Sequence, residues 1–208
     1  MGRPERHTRD DFLDAAARLF ADGGTRAVTM SAVARAAGAP SGSLYHRFAD
    51  RPALLAALWT RTVDRFQAGY LEQLRRTPPV EGAVAAAAHV VRWCREHPAE
   101  AHVLHAGKRA FDTGTWPEPD RAAGERSERE LRHALQAACR TLRAATHRST
   151  DELLLVLVDL PYATVHRHLS RGDTPPARAV TAATAAARAL LTPSGDHPSG
   201  DHPSDAPR

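Results

Sequence analysis

Apolar residues in this chain recur at intervals of three and four, and no stretch of its 208 residues alternates as a half-buried strand would. An α-helix turns once in 3.6 residues, so such spacing gathers each segment's apolar side chains into one stripe that has to be covered. The first window, Thr8 to Asp22, carries Phe12, Leu13, Ala16, Leu19 and Phe20 in this way. Thr8 suits its N-cap, and Asp10 and Asp11 fall in the first turn, where the helix dipole favours negative charge. The pattern predicts an all-α fold.

Glycine and proline then divide the chain. Gly23-Gly24 ends the first helix, because glycine takes up the left-handed conformation common at such ends. Thr29 opens a second helix, Met30 to Ala37, which Gly38 stops. Pro40 begins a third, where its missing N–H costs nothing. Asp50 caps a fourth, from Arg51-Pro52 to about Arg76, which Pro78-Pro79 breaks. A fifth runs from Val80 to Glu96 and a sixth from Pro98 to about Phe111. The turn formers of TGTWPEPD, 113 to 120, read as a loop. A seventh helix reaches about Ala145. Ser149 and Glu152, at capping-box spacing, open an eighth that ends near Gly172 and should kink at Pro161. A ninth extends from Pro175-Pro176 to Leu191. The last sixteen residues repeat Ser-Gly-Asp-His-Pro and offer nothing apolar to bury, so disorder is expected there.

Composition excludes several classes. No run of about 18 apolar residues is present, so no membrane helix is expected. The opening MGRPERHTRDDF lacks the apolar stretch of a secretory signal, which points to the cytoplasm. Cys94 and Cys139 make neither a disulfide framework nor a zinc spacing and read as buried thiols. The net charge is +4, and 27 of the 28 basic residues are arginine. Through Arg51 the count is eight arginines against six acids, so any nucleic-acid binding must depend on where the charges stand.

The stretch AGAPSGSLYHRF, 37 to 48, is the most informative. Two short helices joined by about four residues containing glycine have the helix-turn-helix layout, whose second helix enters the DNA major groove. Leu44 and Phe48, four apart, can dock that helix, leaving Ser41, Ser43, Tyr45, His46 and Arg47 outward with donors for phosphates and base edges. Gly42 permits close approach of the backbone, and the helix starts near Thr29 and Ser41 present N–H groups suited to phosphate.

TMSAVARAAGAPSGSLYHRFADRPALLAAL, 29 to 58, resembles the DNA-binding signature of TetR-family transcriptional regulators. The landmarks are Thr29, Val33-Ala34, Ala37-Gly38, Gly42, Leu44-Tyr45, Phe48, Arg51 and Leu54. The resemblance implies a helix-turn-helix domain over 1–50, a helical ligand-binding and dimerisation domain over 51–192, and a tail over 193–208. It implies a homodimer on double-stranded operator DNA, most simply a repressor released by a small-molecule effector. By the same resemblance Thr29, Tyr45, His46 and Arg51 contact phosphates, and Ser41, Gly42 and Ser43 lie nearest the bases. Arg47 stands where the family often has an aromatic residue, and Pro40-Ser41 replaces its usual Ser-Lys or Ser-Arg pair. The cation so lost shifts weight to Arg47, Arg51, Arg3 and Arg6.

Helical bundles place ligand sites between facing helices. Trp93, Phe111 and Tyr162 are the pocket candidates, with His105 and His166 as polar anchors. His102 and His105 can share a helix face, but His166 and His168 point apart and no carboxylate or cysteine completes a ligand set, so neither metal nor cofactor is expected. DELLLVLVDLPYATVHRHL is apolar on more than one face and ARAVTAATAAARALL is rich in small residues, so the last two helices are expected to form the dimer surface. No catalytic motif appears. A helical cofactor-carrying enzyme and a ligand-independent activator are the alternatives.

Overall fold

A computed structural model describes residues 7–192, and among these there are helices and turns but no strand. The order is α1 (Arg9–Ala27), α2 (Met30–Ala36), α3 (Ser41–Tyr45), α4 (Arg51–Leu74), α5 (Pro79–Glu96), α6 (Pro98–Ala106), α7 (Glu118–Thr146), α8 (Thr150–Leu154), α9 (Leu160–Leu169) and α10 (Ala177–Leu191). A π-helical turn, Leu155–Asp159, joins α8 to α9, so the expected eighth helix runs on from Thr150 to Leu169. Arg3, Arg6 and the Ser-Gly-Asp-His-Pro repeat lie outside the described residues.

Four of the ten described helices, α1, α2, α4 and α8, start at a side-chain cap. The Thr8 hydroxyl accepts from the Asp11 amide while the Asp11 carboxylate accepts from the Thr8 amide at 2.7 Å, a reciprocal capping box. Ser149 and Glu152 repeat that arrangement at α8, and Asp50 accepts from the Ala53 amide at 2.8 Å to open α4. The path of α1 is broken at Gly23 and at Gly24, whose φ is +63°, where the sequence placed the helix end. The stretch expected as a loop differs: Thr113–Thr115 is a 3-10 turn and α7 starts at Glu118. Pro119 sits in the first turn of that helix, where no intrahelical donor is needed.

Pro161 lies at the start of α9 and has no N–H to return to the Leu157 oxygen, four residues earlier. The buried Tyr70 hydroxyl of α4 donates to that oxygen at 3.0 Å. Gly69 beside it lets α5 come close, because a Cβ there would collide with the His89 ring.

Three apolar clusters hold the helices together. One takes Phe12, Leu13 and Phe20 of α1, Val33, Leu44 and Phe48, and continues into Leu54, Leu55 and Leu58 of α4, Val103 of α6, Phe111 and Trp116. The hydrophobic core thus runs across position 50 without a break. Leu142, Leu153, Val156, Leu157 and Leu191 form a second cluster, and Val91, Trp93, Val165, Leu169 and Ala183 a third. Polar pairing crosses the first boundary as well. Arg61 of α4 reaches Asp14 of α1 at 2.8 Å and the buried Glu100 of α6 at 3.5 Å, and Arg65 meets Glu100 at 3.1 Å.

Candidate functional site

α3 is only five residues long, and its anchorage is confined to one side. Leu44 is fully buried and Phe48, just beyond the helix, nearly so. Ser41, Gly42, Tyr45 and His46 are exposed and Ser43 is half-buried. Tyr45 is the most exposed large apolar residue described, at 56%. Gly42 has no intramolecular reason to be glycine: a Cβ would meet nothing within 4 Å and its φ is ordinary. The position is open to whatever approaches from outside. Thr29 caps α2 by accepting from the Ala32 amide at 3.2 Å, so its hydroxyl stands at the free amide end of that helix.

Two arginines depart from the sequence reading. Arg47, expected outward, is half-buried: its guanidinium donates to the Ser43 carbonyl at 3.0 Å and lies 5.7 Å from the centre of the Phe12 ring. A planar guanidinium stacks well on an aromatic face, and Phe12 offers one at that spot. Arg51, expected at phosphate, donates through Nε to the Val28 carbonyl at 2.7 Å and through Nη2 to the Thr25 carbonyl. Val28 is the C-cap of α1 and Thr25 lies in its last turn, so this guanidinium ties the start of α4 to the end of α1.

Between α4, α5, α6, α7 and α9 lies a cavity of about 250 Å³. Trp59, Val63 and Phe66 of α4 line one side, Val90 and Cys94 of α5 and Leu104 of α6 another, and Tyr162, Val165 and Leu169 of α9 a third. Of the five residues expected there, His105 and Tyr162 line it and three do not. Trp93 packs edge-on against the outer face of Phe66, ring centres 5.4 Å apart. His166 sits outside, its ring 5.0 Å from His105 and 5.4 Å from Tyr162. Phe111 belongs to the head's core, stacked on Phe20 at 5.0 Å and touching Trp59 at 5.3 Å. It therefore bridges the cavity wall to α1. Sequence reasoning ranked Trp59 and Phe66 below Trp93 and Phe111 as pocket residues, although their spacing of seven on α4 puts both on one face.

The polar lining is sparse. Ser127 donates to the Gln67 carbonyl oxygen at 2.9 Å and to Asp64 at 3.3 Å. Asp64 is held above its usual carboxylate range, chiefly by partial burial, against the Ser127 hydrogen bond and with help from Glu130. Glu128 at the same wall is paired with Lys108 at 2.6 Å. His105 is pulled below its ordinary value by burial and by the neighbouring His166 and His102. The Cys94 thiol is pushed up to about 12 by burial, so it stays protonated. Among the described residues no group of three or more His, Cys, Asp or Glu side chains is placed to hold a metal ion. Nor is any helix there long and apolar enough to cross a membrane.

Residues 12–58 match the family model described as "Bacterial regulatory proteins, tetR family". HTH-type transcriptional repressor KstR2 of Rhodococcus jostii (strain RHA1) is 42% identical over 66 residues, 32% of this chain and 28% of that protein. The match thus spans less than a third of that relative's length. Likeness of structure extends much further. Mycobacterium smegmatis AmtR superposes with a TM-score of 0.59 at 26% identity, covering 93% of this chain and 90% of its own. The ketosteroid transcriptional regulator KstR2 of Mycobacterium tuberculosis gives 0.66 at 22% identity, over 90% and 94%. Residues 12–58 thus match the tetR family of bacterial regulatory proteins, and the chain shares its fold over about nine-tenths of its length with the regulator AmtR.

Proposed function

We propose that the chain is a dimeric, cytoplasmic transcriptional repressor that binds a palindromic double-stranded operator and releases it when a small molecule enters the α4–α9 cavity. The observation that carries this reading is the open face of α3. Ser41, Gly42, Tyr45 and His46 are exposed on a helix too short to stand without its Leu44 anchor, and Gly42 leaves room for a backbone or base. Ser43 joins them at the bases, while Thr29, Tyr45 and His46 take phosphate. Arg47 and Arg51 contribute by holding that face in place. Residues 1–50 act as the DNA-binding part, 51–192 as the effector and dimer part, and 193–208 as a tail.

Dimerisation is assigned to the last two helical rods. Leu155, Val158, Tyr162 and Leu190 are all exposed there, at 43%, 40%, 52% and 39%. Large exposed apolar groups on neighbouring helices favour a partner, and a twofold pair would cover the same residues on both copies. Two α3 helices would then stand about 34–36 Å apart, or a multiple, on a palindrome.

Signal passage is assigned to α4 and α6, which carry cavity residues and also grip α1. Arg61 lies next to the cavity residue Thr60 and holds both Asp14 and Glu100, while Trp59 passes contact through Phe111 to Phe20. A molecule that prefers one spacing of α4 and α6 shifts the head accordingly. Selection of random duplexes on the purified protein at two salt concentrations tests the whole reading. An enriched palindrome whose retention falls with salt is expected. Weak, sequence-independent retention alone would refute it.

A further inference from the structure

The cavity wall holds two buried polar atoms without a hydrogen-bond partner, Thr60 Oγ1 on α4 and His105 Nδ1 on α6. Buried polar atoms without partners are costly, and a bound molecule that satisfies them recovers that cost. The charges at the same wall are both negative. Glu128 is offset by Lys108, whereas Asp64 has no arginine or lysine within ion-pair distance among the described residues. No arginine or lysine lines the cavity.

We propose that the effector is an uncharged, largely apolar molecule whose single hydroxyl head seats against Thr60 and His105, and that the cavity discriminates against carboxylates. The inference rests on the cavity being the effector site. A hydroxyl both donates and accepts, so it serves Thr60 and either tautomer of a neutral imidazole. His105 is neutral at pH 7.5 because burial, His166 and His102 all oppose its protonation. A carboxylate can only accept, and it would lose its water beside Asp64 while Lys108 is already taken up by Glu128. An ammonium would pair with Asp64 but would leave the neutral His105 and Thr60 atoms without their best partner. Trp59, Phe66 and Leu104 supply the apolar surface for the rest of the molecule.

Isothermal titration of the full chain at pH 7.5 with octan-1-ol, octanoate and octylamine keeps the hydrocarbon constant and changes only the head. Octan-1-ol should bind at least about tenfold more tightly than octanoate, with octylamine weaker than the alcohol. Thr60→Val and His105→Phe should each weaken the alcohol by about three- to tenfold, the worth of one hydrogen bond, and leave octanoate unchanged. Asp64→Asn should raise octanoate affinity and spare the alcohol. Octanoate or octylamine as the tightest probe, or equal binding of all three, overturns the proposed class while leaving the cavity as the site. Leu104→Trp, shown folded by circular dichroism, separates the two failures. Binding that survives this filling of the cavity, or no binding of any probe to the unaltered chain, means that the cavity is not the effector site.

Discussion

Removing the Tyr70 hydroxyl tests how the fold accommodates Pro161. Tyr70 is 3% exposed and Leu157 1%, so the carbonyl that Tyr70 serves cannot turn to water. Burial holds the Tyr70 phenol well above its ordinary value, with Cys139 adding to the effect, so the group stays a donor at any practical pH. Tyr70→Phe deletes one oxygen and leaves a buried acceptor without a donor, at a cost of about 1–3 kcal/mol. A chain of this length loses about 2–4 °C of Tm per kcal/mol, so a fall of about 5 °C is expected by scanning calorimetry. A double-mutant cycle sharpens the argument. In a Pro161→Ala background the restored amide can serve Leu157, so adding Tyr70→Phe should cost under about 0.5 kcal/mol, and the coupling should be about 1 kcal/mol or more. An equal cost in both backgrounds would show that the hydroxyl is not replacing the missing helical donor.

Three further outcomes are expected. Tyr45→Ala should leave Tm within about 1 °C, as a change on an exposed surface does, yet weaken binding to the selected duplex about tenfold. Arg51→Ala should instead lower Tm by several degrees, because two carbonyls at the end of α1 lose a charged donor; a stable Arg51→Ala protein with only its DNA affinity lost would return that residue to the phosphate. Stability should also fall in mild acid. His89 is held below the ordinary histidine value, about 6.5, chiefly by burial, and His105 likewise. The unfolded chain therefore takes up protons near that value while the folded one resists, and stability present above it is lost as pH drops through and below it. Tm should decline from pH 7.5 to 5.5, and His89→Gln should flatten the decline; an unchanged slope in the variant would refute the assignment.

What the sequence determined alone was whatever local chemistry decides. Thr8, Asp50 and Ser149 start helices because their own oxygens reach amides three residues on, and Gly23-Gly24 breaks one because only backbone freedom is required. The exposed face of α3 was legible for a similar reason: with Leu44 and Phe48 as the anchors, the remaining side chains had to face outward. Arg47 and Arg51 were not legible as braces, since their partners, the Phe12 face and the Val28 and Thr25 carbonyls, come from α1 and arrive only when α1 crosses α4. The cavity followed the same rule. Trp93 and Phe111 looked at least as eligible as Trp59 and Phe66, because all are aromatics on helical stripes. Which of them faces a void depends on the angles between five helices, and those angles are set by packing among residues far apart in the chain. That Pro161 gives its helix no N–H could be foreseen, but not that α4 would bring Tyr70 to the carbonyl four residues before it.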